Sequence, residues 1–341
     1  MRIGIDLMGG ESSPKELFSA VLLAAEQLNV SNVLAVFATP SAIEELQSSK
    51  YPVLSSLQHA QIEFHTVSDY IEMQDDPLTA IRHKKGSSLV TGIRLLKKRH
   101  LDAFVSAGNT GALVASASLS LPMLPGISRP ALLAVLPTQK GQVAILDVGG
   151  SVSCKAHHLV QFACLGAAYQ RCSQGIAVPS VGLLNIGVES KKGTLEVRQA
   201  YQILKDAQEE RRSLGRTPHM DFLGNVEGLE VFQGKVDVLV TDGFTGNILL
   251  KTSEGVSSFI FSHLKKMFND SASKPQYRIF NDLQKHFTYS EYPGAIVCGV
   301  DGIVVKCHGN ASSRAMFNGI MGAIQLVKKD LTTQIKAILA T

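Results

Sequence analysis

The sequence predicts an α/β protein built on a mainly parallel sheet with helices on both faces. Three observations lead there. Short β-branched, apolar runs alternate with segments of helical periodicity along the whole chain. The runs are nearly continuous in apolar residues, as in strands buried on both faces. Most of them also end in glycine beside a polar side chain.

The expected strands are Ile3–Leu7, Val33–Ala38, Ile62–Val67, Ala103–Ala107, Leu132–Leu136, Val143–Val148, Val181–Ile186, Met220–Leu223, Val236–Val240 and Ile303–Lys306. The expected helices between them are Lys15–Leu28, Ser87–Arg99, His157–Arg171, Thr194–Arg212 and Ser312–Lys329. Two further apolar sets have helical spacing: Val256, Phe259, Ile260, Leu264, Met267 and Phe268, then Ile279, Phe280, Leu283 and Phe287. The polar, Pro-containing "NDSASKPQ" separates them. Residues 256–290 therefore read as a helical hairpin extension within a single large domain spanning residues 1–341. At this length one large α/β domain or two lobes is expected.

Composition narrows the function classes. Hydrophobic content of 45% with 18% charge suits a globular chain. A net charge of +4, no Trp and 6% aromatics give no base-stacking surface, so nucleic acid is not an expected partner. The five cysteines form no CxxC pair, which suits reduced thiols, and Cys154 reads as a small buried thiol. "MRIGIDLMGG" lacks the apolar core of a signal peptide, and no stretch reaches the roughly 18 apolar residues of a spanning helix.

The strand ends are the informative feature. They carry Asp6 with Gly9 and Gly10; Ser106 with Gly108, Asn109 and Thr110; Asp147 with Gly149 and Gly150; and Asn185 with Gly187. Gly224, Asn225 and Glu227 follow, then Asp242, Gly243, Thr245 and Asn247, and finally His308, Gly309 and Asn310. Open α/β sheets bind ligands at the carboxyl ends of their strands, so the set is expected to line one shared cleft. The plainer alternative is that each is a turn glycine beside a capping residue. "GNTGALVAS", "GSSLVTGI" and "GFTGNILLK" have the form of helix N-termini that favour an anion, and Lys84 and Lys85 stand just before Ser87 and Ser88. A phosphate ligand is expected. The chain has no GxxxxGK[ST], no GxGxxG with its later acid, no HExxH and no GxSxG. Without nucleotide, metal or covalent nucleophile, phosphate itself is the expected reactant.

At this point the residues resemble a known family, the bacterial phosphate acyltransferases of the PlsX type. The matching stretches include "MRIGIDLMGG", "IEMQDDPLTAIRHKKGSS", "VSAGNTGALVA", "LDVGGSVSCKAHHLVQFA", "VGLLNIGVESKKG", "FLGNVEG", "KVDVLVTDGFTGNILLKTSEG" and "HGNASSRA", in family order from the first residues to near the carboxyl end. The resemblance implies a Rossmann-like fold related to isopropylmalate dehydrogenases and phosphotransacetylases. It implies a homodimer, cytoplasmic and in peripheral contact with the inner face of the membrane. It implies phospholipid synthesis, in which acyl-acyl carrier protein and inorganic phosphate give acyl phosphate, with no cofactor and no metal.

Read with the resemblance, Lys192, His308, Asn247 and Asp242 are the candidate catalytic residues. Lys192 would stabilise charge and His308 would transfer a proton. Asp242 would orient a lysine or accept a proton, the alternative being a helix N-terminal carboxylate. The alternatives are a solvated loop lysine for Lys192 and a satisfied core histidine for His308. The candidate phosphate ligands are Asp6, Gly9, Gly10, Lys85, Ser87 and Ser88, then Asn109, Thr110, Gly111, Asn185 and Asn225, then Gly243, Thr245 and Gly246. Gly243 and Gly246 are expected to admit the anion. The rival functions are a 2-hydroxy acid dehydrogenase on a similar scaffold and a non-enzymatic module that binds phosphate or acyl carrier protein.

Overall fold

The computed structural model describes residues 1–48, 59–216, 219–268 and 294–340. Its contacts divide the chain into two compact units, Met1–Leu132 with Pro293–Thr341, and Leu133–Tyr292.

The first unit contains β1 (Arg2–Asp6), α1 (Pro14–Gln27), β2 (Val33–Ala38), α2 (Pro40–Ser48), β3 (Gln61–Thr66), α3 (Pro77–His83), α4 (Ser88–Lys97), β4 (Ala103–Ser106) and α5 (Thr110–Ser120). It closes with β10 (Ala295–Cys298), β11 (Ile303–Lys306), α10 (Ser313–Lys328) and α11 (Leu331–Leu339). The strand order is β3-β2-β1-β4-β11-β10, parallel except for the β10–β11 pair. Helices α4 and α10 both pack on β1 and β4 and so cover opposite faces. That is why β1, β2, β4 and β11 lack the polar alternation of a half-exposed strand.

The second unit contains β5 (Ala131–Thr138), β6 (Gly141–Leu146), α6 (Ala156–Gln174), β7 (Ser180–Leu184), α7 (Leu195–Ser213), β8 (Asp221–Val226), α8 (Gly228–Val231), β9 (Val238–Val240) and α9 (Gly243–Phe268). Its order is β5-β6-β9-β7-β8, with β5 antiparallel to β6 and the remainder parallel. Helix α6 comes close to the sheet at Gly166, where a Cβ would fall 2.4 Å from Val238 and 2.8 Å from Leu146.

Every expected strand and the five helices expected between them are present, with bounds shifted by a few residues. The structure adds α2, α3, α8, α11 and the four-residue β10. It also changes the hairpin: residues 256–268 are not a separate arm but the continuation of one helix that starts at Gly243. The second arm, with Ile279, Phe280, Leu283 and Phe287, lies outside the described residues. Helix starts follow local chemistry. Ser13, Asp76, Ser87, Thr194 and Ser312 each accept a backbone N–H from their own first turn. Among the described residues no helix is long and apolar enough to cross a membrane.

One close approach can be tested. A Cβ at Gly92 of α4 would fall 2.0 Å from the ring of Phe104, which is fully buried on β4 and has no room to swing. Gly92→Ala is expected to lower unfolding free energy by about 1–3 kcal/mol. Gly228→Ala, where nothing lies within 4 Å, should change it by less than about 0.5 kcal/mol. Urea denaturation of the two variants checks the contrast.

Candidate functional site

In the second unit the carboxyl ends of β6, β9, β7 and β8 lie side by side along one edge of the sheet. Asp147 ends the first of these and is fully buried. Its Oδ1 accepts from the N–H groups of Gly149 (3.1 Å) and Gly150 (2.8 Å), a turn closed by its own side chain. Its N–H donates to the Thr241 carbonyl at 2.9 Å, and Thr241 N–H donates to the Leu146 carbonyl at 2.6 Å. The ends of β6 and β9 are thereby tied together.

Helix α9 starts against this turn. A Cβ at Gly243 would lie 2.3 Å from the Ser151 carbonyl oxygen and 2.8 Å from Asp147 Oδ2. One at Gly246 would lie 1.9 Å from the Asp147 carbonyl oxygen. The room at both glycines goes to the protein's own 147–151 turn, not to the anion expected there. Asp242 behaves as the alternative anticipated: it accepts from Thr245 N–H (2.8 Å) and Thr245 Oγ (2.9 Å), capping α9. Asn247 remains exposed, its side chain lying against Gly149.

At the ends of β7 and β8 two more expected ligands are occupied with backbone. Asn185 Oδ1 accepts from Ile186 N–H at 2.8 Å, and its Nδ2 donates to the Lys192 carbonyl at 3.0 Å. Buried Asn225 donates from Nδ2 to the Glu189 carbonyl at 2.9 Å. Both asparagines therefore shape the 185–193 loop. That loop holds up Lys192, whose side chain is exposed, as in the solvated-lysine alternative.

In the first unit Asp6, Ser106 and Lys306 sit in register at the carboxyl ends of β1, β4 and β11, all three buried. Asp6 accepts from Met8 N–H (3.0 Å), from Ser106 Oγ (2.9 Å) and from the Ser88 hydroxyl. Lys306 Nζ donates to the carbonyls of Ala107 (3.4 Å) and Cys307. Asn109 caps α5 through Ala112 N–H at 3.0 Å, while its Nδ2 donates to the carbonyls of Glu72, Met73 and Asp75. Thr110 opens the helix half-buried, and Gly111 faces Pro77, 2.6 Å from where its Cβ would be.

Gly9 has φ +72°, and a Cβ there would meet the Ile71 carbonyl oxygen at 2.2 Å. Gly10 faces the Gly309 carbonyl. Ser87 caps α4 and is buried; Lys84 is tied to Asp75 at 2.7 Å, leaving Lys85 exposed. His308 is exposed with Nδ1 against Asn310 Oδ1, so the core-histidine alternative fails. Cys154 is half-buried instead of buried.

Of the expected site side chains, Lys192, Asn247 and Thr245 are exposed in one unit and Lys85 and His308 in the other, with Thr245 held by Asp242 and His308 by Asn310. Sequence reasoning placed Asp147 and Ser106 among the polar strand ends of the cleft without giving either a role, and it missed Lys306. The signal for Asp147 was present, since "DLMGG" and "DVGGS" have the same Asp-to-Gly-Gly form. For Lys306 it was a lone lysine in the apolar run "GIVVKC".

A mainly parallel sheet with polar groups at its strand ends is an α/β ligand-binding fold. Among solved structures, a phosphotransacetylase from Streptococcus pyogenes superposes with TM-score 0.61 at 15% identity, over 96% of this chain and 94% of that one. The EutD phosphotransacetylase from Staphylococcus aureus gives 0.58 at 15% identity with the same coverage. In sequence, residues 1–334 match the family described as "Fatty acid synthesis protein". A phosphate acyltransferase from Chlamydia pneumoniae is 40% identical over 98% of both chains, and one from Thermoanaerobacter pseudethanolicus 38% identical over 98% of this chain and 96% of its own. The chain belongs to this family, the PlsX-type phosphate acyltransferases, and is an acyltransferase. The dehydrogenase and the non-enzymatic regulator are set aside on that ground.

Asp6 supplies a pH test. Burial pushes its carboxyl up to about 6, outweighing the Ser88, Met8 and Ser106 hydrogen bonds and the Lys306 charge, which all lower it. A carboxyl raised above its unfolded value contributes stability that is complete below about pH 4 and lost as pH rises through 6. Asp6→Asn does not titrate. The stability of the wild type relative to this variant should therefore fall by about 2 kcal/mol between pH 4 and 7. Chemical denaturation across that range checks it, and a constant difference would contradict the assignment.

Proposed function

We propose that this acyltransferase converts acyl-acyl carrier protein and inorganic phosphate into acyl phosphate and free carrier protein, for phospholipid synthesis. The full-length identity of about 40% to phosphate acyltransferases carries the reading. The exposed Asn247 near the start of α9 supports it.

In the proposed reaction an oxygen of hydrogen phosphate attacks the thioester carbonyl carbon. A tetrahedral oxyanion forms, the C–S bond breaks, and the phosphate's proton ends on the departing thiolate. Two negative centres must be held together, so the protein's task is positioning and donating hydrogen bonds. Asn247 Nδ2 is assigned to anion or oxyanion contact. Lys192 is assigned to charge stabilisation from its short, asparagine-braced loop. Asp242, held by Thr245, keeps the helix start in place.

The same reading includes a homodimer and a peripheral membrane contact. On α9 the apolar Phe259, Ile260 and Met267 are exposed, and Lys265 and Lys266 stand in the last turn. Apolar residues beside cations suit an anionic bilayer surface, and the preceding stretch suits a second copy.

Purified protein should release free thiol from a long-chain acyl-carrier-protein donor only when phosphate is supplied, with no metal or nucleotide added. Release that ignores phosphate would sink the reading. Asn247→Ala and Lys192→Ala should each lower turnover by at least about tenfold with circular dichroism unchanged. Met267→Asp is expected to reduce co-sedimentation with anionic vesicles while turnover of soluble substrate holds; undiminished vesicle binding counts against the membrane contact.

A further inference from the structure

Along α9, Phe244, Ile248, Thr252 and Val256 fall four residues apart and so share one ridge of the helix. Phe244, Ile248 and Val256 are apolar yet 61%, 50% and 51% exposed. The ridge begins beside Asn247, and its far half, with Leu249, forms one wall of a cavity of about 330 Å³. Leu136 and Pro137 of β5 and Phe232 after α8 make other parts of the wall. Among the described lining residues only Glu254 is charged, and Lys251 pairs with it at 2.7 Å.

A space of this size lies within the range of small-ligand pockets, about 300–1,000 Å³. With the one charge neutralised, the chemistry of the wall recognises hydrocarbon. From Asn247 to Val256 the helix advances about 13 Å at 1.5 Å per residue. A group anchored at the start of α9 must therefore be long to reach the far wall. A short acyl group would stop at the ridge.

We propose that this cavity receives the hydrocarbon chain of the acyl donor. The carbonyl end stays at the start of α9, and the chain runs over Phe244 and Ile248 to Leu249 and Val256. The cavity rests on the phosphate acyltransferase reading above and adds where the chain lies and what limits its length.

Val256→Trp fills the far end from an exposed position and spares the core. With palmitoyl and butyryl carrier-protein donors, kcat/KM for palmitoyl should fall by at least about tenfold, and that for butyryl should stay within about twofold. A fluorescent long-chain fatty acid, titrated without phosphate, should bind the Trp variant at least about tenfold more weakly than wild type. Equal losses for both donors, or no loss for either, overturn the cavity. So does a change of sedimentation coefficient with the chain-length ratio intact, which would mean that a second copy fills the space. Should wild type turn over neither donor, the reaction assignment fails, and the fatty-acid titration still decides the cavity: unchanged probe binding in Val256→Trp refutes it.

Discussion

The first turn of α9 exists because Asp147 and its neighbours occupy the space where two side chains would stand. One buried carboxylate closes the turn through Gly149 and Gly150, while the peptide that carries it reaches the end of β9. Gly243 and Gly246 then let the helix lie directly on that turn. Any side chain at Gly246 would meet the Asp147 carbonyl oxygen at 1.9 Å, so helix and turn would have to part. Where Asn247 stands, and with it the hydrogen-bonding face of the proposed site, follows from this contact.

The first unit uses a related device with a different electrostatic result. Asp6, like Asp147, accepts a backbone N–H two residues on. It is also faced by Ser106 and lies near Lys306, which is buried on the strand end beyond Ser106. Desolvation still exceeds these favourable contacts, so the carboxyl holds its proton to about pH 6. A buried lysine and a carboxyl with these partners form a satisfied polar floor, which costs far less than either group buried alone.

The sheet was legible because its strands are apolar on both faces and most of its helices start on Ser, Thr, Asp or Asn. Elements were missed where that contrast is weak. Strand β10 is only "AIVC", and α11 follows a break at Asp330, whose φ is +47°. In α9, the expected hairpin began at Val256, yet one helix runs through from Gly243, since Gly255 meets nothing within 4 Å and strains nothing. The set of polar strand ends was equally legible, but its division of labour was not. Capping a helix, closing a turn and binding an anion use the same residue types. Asn109, Asn185, Asn225 and Asp242 direct side-chain groups to backbone, and only the three-dimensional arrangement separates them from Asn247 and Lys192.

Helix α9 has 26 residues and is about 39 Å long at 1.5 Å per residue. The strands of its unit have at most eight residues, and from Lys251 onward few of its side chains are more than partly covered. The two halves of the helix therefore draw protection from different sources. Amides near Leu250 open only when the packed core opens, whereas those near His263 are guarded by local helix hydrogen bonds alone. In heavy water one unbroken helix would label as two populations, the outer turns within the time of fraying and the inner turns on the timescale of global unfolding.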